Sequence, residues 1–266
     1  MAKRFENKVV IVTGGGTGIG RGAALRFADE GAEVVVSGRR AEPLKMIVKE
    51  ITDAGGKAWS QTCDVRDIDQ IQVLVDAVIA RSGKIDVLIN NAGVPGEGAF
   101  LEVTPDYYDS VLDTNLRGCY FMAQRVAKAM IAKGNGGSII NITSIDATAA
   151  DGPYSAYCTA KAGLVNLTRC MAFELAPHKI RANAVAPGFT MTEMTSNAVS
   201  AEELDYLSNR FDRVPMRRLG TVEECAAVMA FLASDEAPYL VGQNITIDGG
   251  LTSNLFIFES FGLMKK

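Results

Sequence analysis

Short runs of apolar, often β-branched residues alternate along this chain with longer stretches in which apolar positions recur every three or four residues. Val9 to Val12, Glu33 to Ser37, Lys57 to Thr62, Val87 to Asn90, Ser138 to Thr143, Arg181 to Ala186 and Asn244 to Ile247 read as strands. Helical spacing covers about Ile19 to Glu30, Pro43 to Ala54, 67 to 82, 106 to 133, 155 to 176 and Val222 to Ala233. Most of the strands are apolar throughout rather than alternating, as expected when helices bury both faces of a sheet. The pattern predicts an α/β protein built on a doubly wound parallel sheet of about seven strands with helices on both sides.

No Pro/Gly/Ser-rich linker, compositional break or repeat divides residues 1–266, so a single domain is expected. The interval 189–219 interrupts the regular rhythm and is rich in Met, Thr and Arg, which suits an inserted lid or substrate wall. The tail 251–266, with Phe256, Phe258 and Phe261, is apolar enough to pack on this subunit or on a neighbour.

Composition narrows the function. With 27 basic and 31 acidic residues the formal charge is −4, and the absence of a Lys/Arg cluster argues against a nucleic-acid surface. No apolar run reaches the roughly 18 residues of a membrane span, and Met1 to Lys8 lacks the pattern of a signal peptide. The five cysteines, at 63, 119, 158, 170 and 225, have no spacing suited to zinc or a redox pair. No metal site is expected, and a reducing, cytoplasmic location is. The single histidine, His178, cannot build a His-based cluster or a Ser-His-Asp triad, and reads as a surface or helix-end residue.

The first strand runs directly into Gly14-Gly15-Gly16-Thr17-Gly18-Ile19-Gly20, and a helix begins at once. Glycines let backbone approach a pyrophosphate, and the helix N-terminus offers free N–H groups and a positive dipole. This is a dinucleotide site of the Rossmann type. The second strand ends Ser37-Gly38-Arg39-Arg40, without the carboxylate that would hold the ribose hydroxyls of NAD. Two guanidiniums can clamp a 2′-phosphate, which favours NADP(H). Arg40 as a solvated helix start and Arg39 stacked on the adenine of NAD(H) remain open.

Tyr157 and Lys161 lie one helical turn apart, on one face. A neighbouring ammonium favours tyrosinate, which makes the phenol a workable general acid/base. Ser144 closes the preceding strand, where its hydroxyl can address the same substrate oxygen. Asp146, two residues further on, either caps a turn, the favoured reading, or binds a polar substrate group. Cys158, beside the tyrosine, is given no chemical role.

These segments, in this order along almost the whole chain, resemble the short-chain dehydrogenase/reductase family in its compact single-domain branch. Gly14, Gly18 and Gly20 resemble its glycine turn, Asn90-Asn91-Ala92-Gly93 the segment after the fourth strand, and Asn115, Ser144, Tyr157 and Lys161 its catalytic tetrad. Asp64-Val65 is similar to the adenine-pocket element, and Pro187-Gly188, with Thr190 and Thr192, to the loop that holds the nicotinamide carboxamide. The resemblance implies that Tyr157 donates a proton to a carbonyl oxygen in reduction and removes it in oxidation. It also implies that Ser144 polarises that oxygen, Lys161 binds the nicotinamide ribose, and Asn115 holds a water linking the lysine to solvent. Singly, Asn115 also reads as a helix kink, Ser144 as a cap and Asn91 as a turn former. Thr17 and Ile19 are expected at the pyrophosphate, and Ala92 and Gly93 along the cofactor.

The expected activity is interconversion of a small-molecule ketone and secondary alcohol. A 3-oxoacyl-carrier-protein reductase is one alternative, with Arg210, Arg213, Arg217 and Arg218 as a candidate basic docking face. A catalytically silent NADP-binding regulator is a different class, disfavoured by the intact tetrad, and a sugar-nucleotide epimerase would need a C-terminal substrate domain. The resemblance further implies a homotetramer built on the helices near 106–133 and 155–176 and on the tail.

Overall fold

The structure, a computed structural model, describes residues 3–150 and 152–253. Seven strands, β1 (Val9–Thr13), β2 (Glu33–Gly38), β3 (Lys57–Thr62), β4 (Val87–Asn90), β5 (Gly137–Ile142), β6 (Ile180–Pro187) and β7 (Asn244–Ile247), form one sheet in the order β3-β2-β1-β4-β5-β6-β7. Every neighbouring pair is parallel. Strand order reverses between β1 and β4, so the loops leaving their carboxyl ends diverge and open a crevice there.

Both faces of the sheet are buried, which explains the uninterrupted apolar strands. In β1, Val10 and Val12 pack with Val34, Val36 and Ile89 against Ala23, Phe27 and Met229, while Val9 and Ile11 face Leu74, Val78, Met122 and Val126. The first layer is thus α1 (Gly18–Asp29), α2 (Ala41–Asp53) and α9 (Val222–Ala233). The second consists of α3 (Ile68–Ser82), α5 (Gly118–Lys133) and α6 (Ser155–Leu175).

Two differences from the sequence pattern matter. The helix expected over 106–133 is three pieces: α4 (Pro105–Leu112), a π-helical stretch at Asp113–Arg117, and α5. An apolar period of 3.6 does not reveal a single widened turn inside a longer helix. The interval 189–219 contains α7 (Glu193–Ala198) and α8 (Ala201–Asn209), the latter begun by a capping box in which Ser200 and Glu203 satisfy each other's backbone N–H groups. Phe211, Val214 and Leu219 form a small core beneath it, with Met191, Tyr206 and Leu207 packed on them. His178 ends an exposed 3₁₀ turn after α6, as its isolation suggested. Phe256, Phe258 and Phe261 lie outside the described residues.

Candidate active site

The turn after β1 depends on backbone that only glycine tolerates well. Gly18 has φ +54°, the left-handed region, and a Cβ on Gly20 would stand 2.2 Å from the carbonyl oxygen of Gly14. The turn is also laced to the loop after β4. Thr13 Oγ1 accepts hydrogen bonds from the N–H groups of Asn91 (2.9 Å) and Ala92 (3.0 Å), and Asn91 Nδ2 donates to the carbonyl of Thr13 (2.9 Å). Thr13 was not singled out in the sequence because a threonine ending a strand is ordinary; only the reversal of strand order puts its hydroxyl against the second loop.

These loops border a cleft of about 790 Å³ along the carboxyl ends of the strands. Gly14, Thr17, Gly18 and Ile19 line it after β1. In strand order, Arg39, Arg40, Asp64 and Val65 line the end beyond β2 and β3, and Asn91, Ala92 and Gly93 the part after β4. Ser144, Tyr157 and Lys161 line the other end, with Pro187, Gly188, Thr190 and Thr192 after β6. Two expected site residues do not reach the cleft wall. Gly20 lies under the turn, and Asn115 is wholly buried. Phe189, Thr195, Asn197, Tyr154 and Asp146 line the cleft in addition. Thr195 and Asn197 sit in the irregular insert, where no motif marks them.

At the Arg end, both guanidiniums are exposed, and Arg40 occupies the N-cap position of α2 without capping it through its side chain. Asp64 is already committed. It takes hydrogen bonds from Arg66, with Nη2 at 2.6 Å, and that guanidinium, helped by the field of Arg39, holds its carboxyl below the usual carboxylate range.

At the other end, Lys161 is 4% exposed, and its Nζ donates to the carbonyl of Ile142 at 2.7 Å while standing 5.4 Å from the centre of the Tyr157 ring. The i, i+4 spacing on α6 brings the two groups together, and the end of β5 fixes the lysine. A Cβ on Gly93 would lie 2.8 Å from Asn115 Oδ1 and 3.7 Å from Lys161 Nζ, so the chain is pared to backbone where it passes the lysine. Asn115 ties its amide to the loop after β4, accepting from Val94 N–H and donating to Val94 C=O, each at 2.9 Å. Its side chain therefore clamps that loop.

Ser144 caps the 3₁₀ turn Ile145–Ala147, accepting from Asp146 N–H at 3.1 Å, so its reading as a cap and its position in the cleft both hold. It also donates to Asp146 Oδ2 at 3.1 Å. Asp146 thus lies inside the turn rather than capping it, since Ser144 is the cap, and it also lines the cleft. The thiols of Cys63, Cys119 and Cys225 are pushed up to about 11 by burial, and Cys158 is half-buried. Among the described residues, no group of three or more His, Cys, Asp or Glu side chains is placed to hold a metal ion, and no helix is long and apolar enough to cross a membrane.

A parallel doubly wound sheet, a glycine turn into a helix at the point where strand order reverses, and a phenol, lysine and serine gathered in the same cleft define a nucleotide-dependent oxidoreductase class. The comparisons carry this to a family. The family model described as "Enoyl-(Acyl carrier protein) reductase" matches residues 14–252. The chain is 40% identical over 248 residues to a 3-oxoacyl-[acyl-carrier-protein] reductase of Thermotoga maritima, covering 93% of this chain and 99% of that protein. It is also 40% identical over 254 residues to an L-rhamnose 1-dehydrogenase (NAD(P)(+)) of Azotobacter vinelandii, covering 94% and 98%. The crystal structure of an actinorhodin polyketide ketoreductase with NADPH superposes with a TM-score of 0.88 at 36% identity, over 96% of this chain and all (100%) of that one. The chain belongs to the short-chain dehydrogenase/reductase family, and is an oxidoreductase acting on CH–OH groups with a nicotinamide cofactor as acceptor.

Proposed function

We propose that the protein interconverts a small ketone and its secondary alcohol, preferring NADP(H) over NAD(H), with Tyr157 as the general acid/base. The observation that carries this reading is the meeting of Tyr157, Lys161 and Ser144 in the one cleft that the glycine turn also lines. The residues fit a dinucleotide. Gly14, Thr17, Gly18 and Ile19 would hold the pyrophosphate against the N-terminus of α1, and Asp64-Val65 would flank the adenine. Asn91, Ala92 and Gly93 present backbone to the cofactor, and Pro187, Gly188, Thr190 and Thr192 would hold the carboxamide. A bound nicotinamide supplies the hydride.

The protein's own contribution is position and proton management. Tyr157 gives a proton to the carbonyl oxygen as it gains negative charge, and takes it back in the oxidative direction. Ser144 donates a hydrogen bond to that oxygen, stabilising charge that develops in the transition state. Lys161, anchored on Ile142, holds the cofactor ribose and keeps a positive charge beside the phenol. Asn115 keeps the loop after β4 in place behind them.

Arg39 and Arg40 support the NADP(H) preference, since among the described residues neither is tied up in an ion pair and no carboxylate stands at the end of β2. A 3-oxoacyl-carrier-protein substrate, as acted on by the Thermotoga relative, is a second reading. It is weakened by the state of the basic face, since Arg210 is paired with Asp205 at 2.8 Å and Arg218 with Glu224 at 2.6 Å. A cytoplasmic homotetramer is the expected assembly. Tyr120 on α5 and Phe173 on α6, 45% and 85% exposed, are the apolar groups it would cover. Residues 189–219 would form the substrate wall. The test is Tyr157→Phe: turnover of ketones with NADPH should fall roughly 10²–10⁴-fold while NADPH binding is kept, and retention of full turnover would refute the assignment.

A further inference from the structure

Ser144 is not simply aimed at the substrate. Its oxygen accepts from Asp146 N–H, and its single proton goes to Asp146 Oδ2, each at 3.1 Å. A serine hydroxyl has one proton to give. As it stands, the group expected to polarise a substrate carbonyl spends that proton on a carboxylate beside it. Both side chains line the cleft next to Tyr157. Glu193 is a further carboxylate lining the cleft, while the cationic Arg39 and Arg40 follow β2, on the other side of the sheet's crevice from Ser144 after β5.

Resting on the functional reading above, we infer that Asp146 is a specificity-determining residue that selects substrates carrying a hydroxyl on the carbon next to the reacting carbonyl. The class is neutral α-hydroxy ketones and vicinal diols, including sugar-like polyols, rather than simple ketones or anionic keto acids. The geometry closes. When the reacting oxygen sits a hydrogen-bond length from Ser144 Oγ, an oxygen on the adjacent carbon, gauche to it, lies a similar distance further on. Ser144 Oγ and Asp146 Oδ2 are themselves one such length apart. Four oxygens then form a closed ring: serine, reacting oxygen, neighbouring hydroxyl, carboxylate.

Protons follow the same circuit. The neighbouring hydroxyl donates to Asp146 and takes the place of Ser144 as its donor, and the serine proton turns to the reacting oxygen, where it stabilises developing charge. A simple ketone has no hydroxyl to make this exchange, so Ser144 stays bound to the carboxylate. A carboxylate on the adjacent carbon would face Asp146 as a like charge.

The test compares kcat/KM for acetoin and 2-butanone, and for 2-hydroxycyclohexanone and cyclohexanone, each pair differing by one hydroxyl, in the wild type, Asp146→Ala and Asp146→Asn. A hydrogen bond to a charged group predicts a wild-type preference for the hydroxylated partner of about ten- to hundredfold. In Asp146→Ala the preference should collapse toward unity because hydroxy-ketone turnover falls while simple-ketone turnover rises as Ser144 is released from the carboxylate, a split that general damage to the site would not give. Asp146→Asn, which keeps the shape without the charge, should lie between. An unchanged ratio in Asp146→Ala, or a parallel fall for both ketones, overturns the inference. Failure of the underlying reading has a different signature, namely Tyr157→Phe turning over both ketones as well as the wild type does.

Discussion

Asn115 and Val94 are joined like two residues of a ladder, with the side-chain amide of one taking both the N–H and the C=O of the other at 2.9 Å. The asparagine is wholly buried in the π-helical stretch between α4 and α5, and Val94 lies on the loop that borders the cleft beside Gly93. The contact fixes that loop from behind. Asn115→Ala leaves the two backbone groups without partners, and should lower stability by about 1–3 kcal/mol. Turnover should drop more steeply than cofactor affinity, because the same loop packs at Gly93 beside Lys161 and at Gly96 against Tyr157. Chemical denaturation alongside steady-state kinetics checks both parts, and a variant with normal stability and turnover would contradict the clamp.

Gly96 presses on Tyr157. A methyl group there would stand 2.8 Å from Tyr157 Cβ and 3.1 Å from its backbone nitrogen, and the neighbours are not the flexible end of a side chain. Gly96→Ala should therefore shift Tyr157 and reduce kcat by about a hundredfold, the usual result of a displacement approaching an ångström at a reacting group. NADPH affinity, measured by fluorescence titration, should change little.

The two guanidiniums at the end of β2 make cofactor choice separable from chemistry. Arg39→Ala and Arg40→Ala should raise KM for NADPH about ten- to hundredfold, as befits the loss of a charge-assisted bond to phosphate, and leave KM for NADH nearly unchanged. If neither substitution moves the NADPH/NADH ratio of kcat/KM, the phosphate assignment is wrong.

Glu30 gives the fold an acid-sensitive tie. Burial alone would push its carboxyl up, but hydrogen bonds from Arg4 (2.6 and 2.7 Å) and from Arg26 outweigh this and hold it below its ordinary value. A carboxyl lowered in the folded state contributes stability that is complete above the unfolded value of about 4.3 and is lost as pH falls through the folded value. Tm of Glu30→Gln should thus lie well below wild type at pH 7, and the gap should narrow progressively below about pH 4. A gap constant across that range would show that the pair contributes nothing through charge.

The thiols should divide sharply. Cys63, Cys119 and Cys225, buried and pushed up to about 11, should resist iodoacetamide at pH 8 until the chain is unfolded, whereas exposed Cys170 should react in the native monomer. Peptide mass spectrometry reads this directly. Protection of Cys170 on α6, lifted on dissociation, would support assembly through that helix.

Much of this was legible in the sequence, for identifiable reasons. The strands are recognisable because both faces of the sheet are covered, so Val9 to Val12 are all buried and all apolar. Tyr157 and Lys161 meet because the regular spacing of α6 brings them to one face. What escaped was set by long-range topology or by single turns. Thr13 meets Asn91 only because β4 lies beside β1, and the widened turn at Asp113–Arg117 leaves no trace in an apolar period. In the insert, Ser200 with Glu203 does spell a capping box, and that signal could have located α8. The bond from Ser144 to Asp146 is a matter of one side-chain torsion, which no local pattern reports.

The π-helical stretch carries one further consequence, for how this chain tolerates length change. A widened turn holds one residue more than the same span of α-helix needs. Deleting any single residue from 113 to 117 would leave an unbroken rod from Pro105 to Lys133, which looks harmless by helix propensity. The helices on either side would keep their phase, since the residue lost is the surplus one, but the stretch itself would be re-phased and Asn115 carried away from Val94. Shortening here should thus be far more damaging than shortening an exposed loop, even where the residue removed is polar.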